Sequence, residues 1–206
     1  MILIVGNKNY SSWSLRPWIA MKALGIEFQE KRISLYVPGA RDEILRHSPA
    51  GKVPVLLHEK NTVWDSLAIL EYLAEMHPKM WPAERAARAR ARSLSAEMHS
   101  GFPNLRNHMS MNVRKRYPGK GRTPEVDGEL RRIFQIFDAA EKPFLFGRFC
   151  AADAMFAPVI LRFRTYEVSV PNQGYCDAVL ALPAMQEWIA AAEREAESLP
   201  QFEQYG

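Results

Sequence analysis

The chain opens on Met-Ile-Leu-Ile-Val, an unbroken apolar run in which Ile2, Ile4 and Val5 are β-branched. Alternation of apolar and polar residues marks a strand with one wet face, whereas a continuous run marks a strand covered on both faces. Such a strand needs helices on each side of its sheet, which points to an α/β layer from the first residues. The next segments fit that demand. Leu15, Trp18, Ile19, Met21 and Leu24 fall near helical spacing, and Gly25 supplies a stop. "EFQEKRISL" from Glu27 alternates enough for a second strand, and a short helix is expected over 40–47. "VPVLL" from Val53 and "TVW" from Thr62 read as two strands around a polar turn. Asp65 and Ser66 stand where a helix N-cap belongs, ahead of Leu67, Ile69, Leu70 and Leu73, and His77-Pro78 ends that helix.

The order βαβαββα occupies the first 78 residues or so, and the texture changes after Trp81-Pro82. Ala, Arg, Glu, Leu and Met then dominate and strand-like runs nearly vanish. Helices are expected over 84–109, 126–140, 152–166 and 183–199. The expectation is therefore an α/β domain over 1–80 followed by an all-helical domain over 84–206.

Composition narrows the partners. Among 206 residues, 27 basic and 23 acidic side chains leave a net charge of +4. Two basic stretches stand out, "RAARARAR" from Arg85 and "VRKRYPGKGR" from Val113. Neither interleaves aromatics as a base-stacking platform does, so both read as solvated or interface faces and no nucleic-acid partner is expected. Cys150 and Cys176 are far apart and without metal-ligand spacing, so neither a metal nor a disulfide is expected. No run of 18 apolar residues and no signal-like start are present, so no membrane partner and a cytoplasmic location are expected.

Three places carry candidate chemistry. "NYSSWS" from Asn9 crowds Ser11, Ser12, Ser14 and Tyr10 into a strand-to-helix turn. Ser14 reads as the N-cap, with Pro17 in the first helical turn. Pro54 at a strand start removes a ladder donor. It is either an ordinary trans proline beginning an edge strand or a cis one, which would leave the Val53 main chain to pair with an extended ligand. Asp65 and Ser66 either simply cap their helix or also hold an amino-acid head, a carboxylate on the helix N-terminus and an ammonium on Asp65.

"SSWSLRPWIAMKALGIEF", "SPAGKVPVL", "WDSLAILEYLAE" and "FGRFCAADAMFAPVILRF" occur in an order and spacing that resemble a cytosolic glutathione transferase over nearly the whole chain. The resemblance implies a thioredoxin-like N-terminal domain that binds glutathione, and an all-helical C-terminal domain that shapes the pocket for a small electrophilic second substrate. It also implies a homodimer. It implies that Val53-Pro54 is cis, that Val53 pairs with the cysteinyl part of glutathione, and that Asp65 and Ser66 hold the γ-glutamyl head. Lys52, with Arg41 behind it, is the candidate for the glycyl carboxylate. The "SSWS" turn is similar to the serine-type classes, especially zeta, whose pattern is two serines, a cysteine and a serine. Ser11 takes the place of the catalytic serine and Ser12 that of its neighbour, with Tyr10, the residue type other branches of the family use, and Ser14 behind them as alternatives, while Trp13 replaces the cysteine. That replacement speaks against carrying over zeta-type isomerisation of maleylacetoacetate and against cysteine-based thiol transfer, and leaves a serine mechanism; glutathione-dependent peroxidase or isomerase activity is a side activity at most. Phe102, Asn104 and Arg106, on the long helix expected over 84–109, are candidates for the electrophile pocket. Cys150 and Asp153 occupy the hydroxyl and acidic positions of the family's internal capping motif. A non-enzymatic binding protein on the same fold is the alternative. Retention of Ser11, Val53, Pro54, Asp65 and Ser66 argues against it.

Overall fold

In the computed structural model, which describes residues 1–206, four strands form one mixed sheet: β1 (Ile2–Val5), β2 (Gln29–Arg32), β3 (Val55–His58) and β4 (Asn61–Val63), in the order β2-β1-β3-β4. β1 runs parallel to β2, with Ile2 opposite Gln29, and antiparallel to β3, with Ile4 opposite Val55. Leu3, Ile4 and Val5 are fully buried, as their continuous run requires. The pleat sends them to opposite faces. Leu3 and Val5 join the main core with α1 (Ser12–Ala23) and α3 (Ser66–Met76), while Ile4 and Val55 meet Ile44 of α2 (Ala40–Leu45) in a smaller cluster. β2 is shorter than "EFQEKRISL" suggests, because as an edge strand it has β1 alone to pair with.

The remainder is helical: α4 (Arg85–Ser100), α5 (Pro103–His108), α6 (Pro124–Asp138), α7 (Ala151–Tyr166), α8 (Gln173–Leu180) and α9 (Pro183–Glu193). The expected helix over 84–109 is two helices. Gly101 is extended, and a Cβ there would lie 2.7 Å from the Glu97 carbonyl. Phe102 is left-handed at φ 58°, and Pro103, which cannot donate back into α4, starts the next helix. α8 was not expected, since it is only eight residues long and buries only Tyr175, Cys176 and Val179. The last expected helix ends at Glu193, and the chain returns as a tail with a 3-10 turn at Pro200–Phe202.

α7 is the pillar of the fold. Fifteen of its 16 residues are buried, so helical periodicity is invisible in its sequence. It packs against α1 of the α/β part and α4 of the helical part. Its entry is held by Asp153, whose carboxylate accepts from the Cys150 and Leu145 N–H groups, each at 2.9 Å. Burial, then the Asp153 charge, pushes the Cys150 thiol far above its ordinary value, and burial raises Cys176 to about 12. Both cysteines are buried and inert thiols. No helix is long and apolar enough to cross a membrane.

Candidate functional site

A cleft of about 590 Å³ opens between the α/β and helical parts. Ser11, Ser12 and Trp13 enter it from the start of α1, Lys52 and Val53 from the approach to β3, and Arg106, Met111 and Arg162 from the helical side. Ser11 immediately precedes α1 and Ser12 is its first residue. Their hydroxyls therefore sit at the positive end of the helix. Ser14 lies inside α1 rather than capping it, and Pro17 is likewise internal, beyond the first turn. The Ser14 Oγ accepts from the Gly6 N–H at 3.1 Å and shares a 2.8 Å hydrogen bond with Ser11. Ser12 Oγ accepts from Arg162 Nη2 at 3.3 Å.

Tyr10 lines the same cleft but is committed elsewhere. Its hydroxyl donates to Glu203 at 2.5 Å and accepts from Arg114 Nη2 at 3.1 Å and the Leu199 N–H at 3.2 Å. No proton is left for a ligand. Its ring stacks on Phe202 of the tail, whose other neighbour is Tyr36. The tail thus forms one wall of the cleft, which sequence reasoning missed because 194–199 read as the end of a helix and 200–206 carry no periodic signal.

Arginines gather around the cleft, Arg16 beneath Trp13 in α1 and Arg106 and Arg162 on the helical side. The Arg16 guanidinium lies 4.2 Å from the Trp13 ring centroid, and that of Arg106 lies 5.8 Å away. Arg16 Nε and Nη1 are buried without hydrogen-bond partners. Burial, followed by the charges of Arg162 and Arg106, lowers Arg16 to about 9, and burial with Arg106 lowers Arg162 to about 10. Both stay cationic at neutral pH, and neither forms an ion pair. Arg162 is held by the carbonyls of Met109 (2.8 Å) and Pro158 (3.4 Å). Neither arginine was singled out from the sequence, although a charge inside the apolar run "VILRF" was a legible signal.

The other expected residues divide. Val53-Pro54 is cis, and Val53 makes no main-chain hydrogen bond within the chain, so its N–H and C=O are available to an extended ligand. Lys52 and Arg41 line the cleft with it. Asp65 and Ser66 are not among the residues lining this cavity, and Asp65 is linked to it through His99, whose ring meets Trp13 edge-on at 5.3 Å. Asp65 caps α3 by accepting from the Leu67 and Ala68 N–H groups (3.1 and 3.4 Å), and its second oxygen is 3.0 Å from His99 Nε2. Ser66 is fully buried and its hydroxyl has no partner. Phe102 and Asn104 do not line the cleft. Phe102 packs in the core at the α4–α5 junction, and the Asn104 side chain is tied to Glu129 at 2.9 Å. Among the expected electrophile-pocket residues, Arg106 reaches it.

Residues 10–76 match the family described as glutathione S-transferase, N-terminal domain. A maleylacetoacetate isomerase of Rattus norvegicus is 30% identical over 192 residues, covering 85% of each chain. A probable maleylacetoacetate isomerase of Caenorhabditis elegans is 34% identical over 98 residues, 47% of this chain and 45% of that one, so the chain spans under half of that relative's length. A glutathione transferase homologue from Burkholderia gl BGR1, solved with bound glutathione, superposes with a TM-score of 0.73 at 25% identity, covering 94% of this chain and 98% of that one.

Proposed function

For a chain that belongs to the glutathione S-transferase family, we propose a serine-assisted glutathione transferase, in which hydroxyls at the start of α1 stabilise the glutathione thiolate for attack on an electrophile in the same cleft. The observation that carries this reading is the pair Ser11 and Ser12, both at the N-terminus of α1 and both lining the cleft beside the unpaired main chain of Val53. In it, Val53 pairs with the cysteinyl unit, Lys52 faces the glycyl carboxylate, and the free Ser66 hydroxyl meets the γ-glutamyl carboxylate. Asp65, already engaged by His99 and the α3 cap, receives the ammonium on its exposed side.

The energetics are sufficient. A thiol of pKa about 8.5 is roughly 3% thiolate at pH 7, and lowering it by about two units requires about 2.7 kcal/mol. A hydrogen bond to a charged acceptor contributes about 1.5 to 3 kcal/mol, and a helix N-terminus about 0.3 to 1. No general base is needed. The thiol proton leaves to solvent, the carbon–sulfur bond forms, and with an aryl chloride the chloride departs. Arg106 and Arg162 on the helical wall favour an electrophile that carries a negative charge. The isomerase names of the relatives make maleylacetone analogues natural members of a substrate panel. A homodimer belongs to the same reading.

Retention on glutathione-agarose, followed by turnover of aryl halides, hydroperoxides, disulfides and maleylacetone analogues, tests it. The expected result is retention with turnover of at least one class. Failure to bind glutathione at millimolar concentration overturns it.

A further inference from the structure

We infer that Ser14 and Arg162 are positioning residues that hold Ser11 and Ser12 by their acceptor sides, so that both hydroxyl protons point at the ligand sulfur. This rests on the reading that a glutathione thiol occupies the cleft, and it follows from accounting for protons in the α1 turn. A hydroxyl has one proton to give and two lone pairs to receive with. Ser14 is fully buried, and one of its lone pairs already takes the Gly6 N–H at 3.1 Å. Its one other partner is Ser11 Oγ at 2.8 Å. If Ser11 were the donor in that contact, the Ser14 proton would be buried with no acceptor, the arrangement proteins avoid most consistently. Ser14 therefore donates to Ser11. The Ser11 proton then has no acceptor in the chain, and the cleft is where its hydroxyl opens.

Ser12 reaches the same condition by another route. A guanidinium can only donate, so the 3.3 Å contact from Arg162 Nη2 fixes Ser12 Oγ as acceptor and leaves its proton unassigned. Ser12 also lines the cleft. Each backing group is itself fixed, Ser14 by Gly6 and Arg162 by the Met109 and Pro158 carbonyls. Gly6 has steric reason to be glycine, since a Cβ there would lie 2.4 Å from Leu35 Cδ1 and 3.2 Å from the Ser11 Cβ. Backing donors also polarise the hydroxyls they bond, which strengthens the outward hydrogen bond. In this arrangement Ser14 and Arg162 act on the ligand sulfur through Ser11 and Ser12 rather than by bonding it themselves.

The test is a double-mutant cycle read by the thiol pKa of bound glutathione, from thiolate absorbance against pH, with glutathione affinity measured alongside. Ser14→Ala is expected to raise that pKa by about one unit, a tenfold change in thiolate fraction below the pKa. In a Ser11→Ala background the same change should add no more than about 0.3 unit. Arg162→Lys keeps the charge and loses the bond to Ser12. It should raise the pKa in the otherwise native protein and leave it unmoved in Ser12→Ala. Ser14→Thr, which keeps the hydroxyl, should restore the native value. Additive shifts, or an unshifted pKa in both single variants, overturn the inference. If Ser14→Ala does not fold, as judged by circular dichroism, the Arg162→Lys cycle decides. A native protein that fails to bind glutathione, or binds it with an ordinary thiol pKa, defeats the transferase reading instead, and that control is recorded first.

Discussion

Ser66 has a buried hydroxyl bonded to nothing, which costs stability unless a ligand meets it. Fold and function therefore respond in opposite directions at this one atom. Ser66→Ala should leave the melting temperature unchanged or raised, while weakening glutathione about tenfold or more, as expected for a lost hydrogen bond to a charged group. Calorimetric titration beside a thermal melt reads both, and a lower melting temperature with unchanged affinity would contradict the assignment. At this scale the sequence was legible where chemistry is local. Ser11, Ser12, Lys52 and Val53 are grouped by short stretches whose residue types announce a turn or a strand start, and the structure brings them to one cleft. It was illegible where the partner is remote. Arg162 lies 150 residues from the serine it contacts, and nothing at either position points to the other. Phe102 and Asn104 show the converse, since the break at Gly101 turns a continuous helical face into two.

α7 and the tail carry predictions that belong to elements. The N-cap of α7 is Cys150, whose thiol is a weak hydrogen-bonding group in a position where serine and threonine excel. Cys150→Ser should stabilise the protein by about 1 kcal/mol, raising the melting temperature by about 2–4 °C for a chain of this size. A lower midpoint would show that the buried sulfur packs better than it caps. The tail is held by carboxylates. A hydrogen bond from Arg32, then one from its own backbone N–H, with Ser34 behind them, keeps Glu197 down at about 2. Burial opposes the ionisation of Glu203, but the Tyr10 hydroxyl and the nearby Lys115 and Arg114 charges still hold its pKa below the ordinary value. A carboxyl depressed in the folded state stabilises it fully above the unfolded pKa, and that contribution is lost as pH falls. Tail docking should thus weaken from about pH 4.5 downward, with the Glu197 share gone near pH 2. Limited proteolysis by an acid-active protease between residues 194 and 206 follows it. Protection unchanged down to pH 2 would contradict the ion-pair account. The tail itself was misread as the end of a helix up to residue 199, because its order comes from pairs 163 residues apart, such as Arg32 to Glu195, which no local pattern shows.

For the whole molecule, the βαβαββα order and the helical remainder were readable because the first half alternates short strands with helices and the second does not. What could not be read was how the halves meet, since α7 is buried on nearly every side and its contact with α1 leaves no pattern in either helix. The cleft lies at that junction, so glutathione should stabilise both halves together, by about 2.7 kcal/mol at a hundredfold excess over its dissociation constant. A single shifted melting transition is the expected sign, and a ligand-induced split into two transitions would contradict it. Whether hydroxyls at the start of α1 hold a thiolate is read by titrating the thiolate absorbance of bound glutathione in the native protein and in the Ser11→Ala/Ser12→Ala double variant. The expected native pKa lies about two units below the free thiol's value of about 8.5 and returns most of the way in the double variant. A native value near 8.5, or a depressed value that survives loss of both hydroxyls, would contradict it.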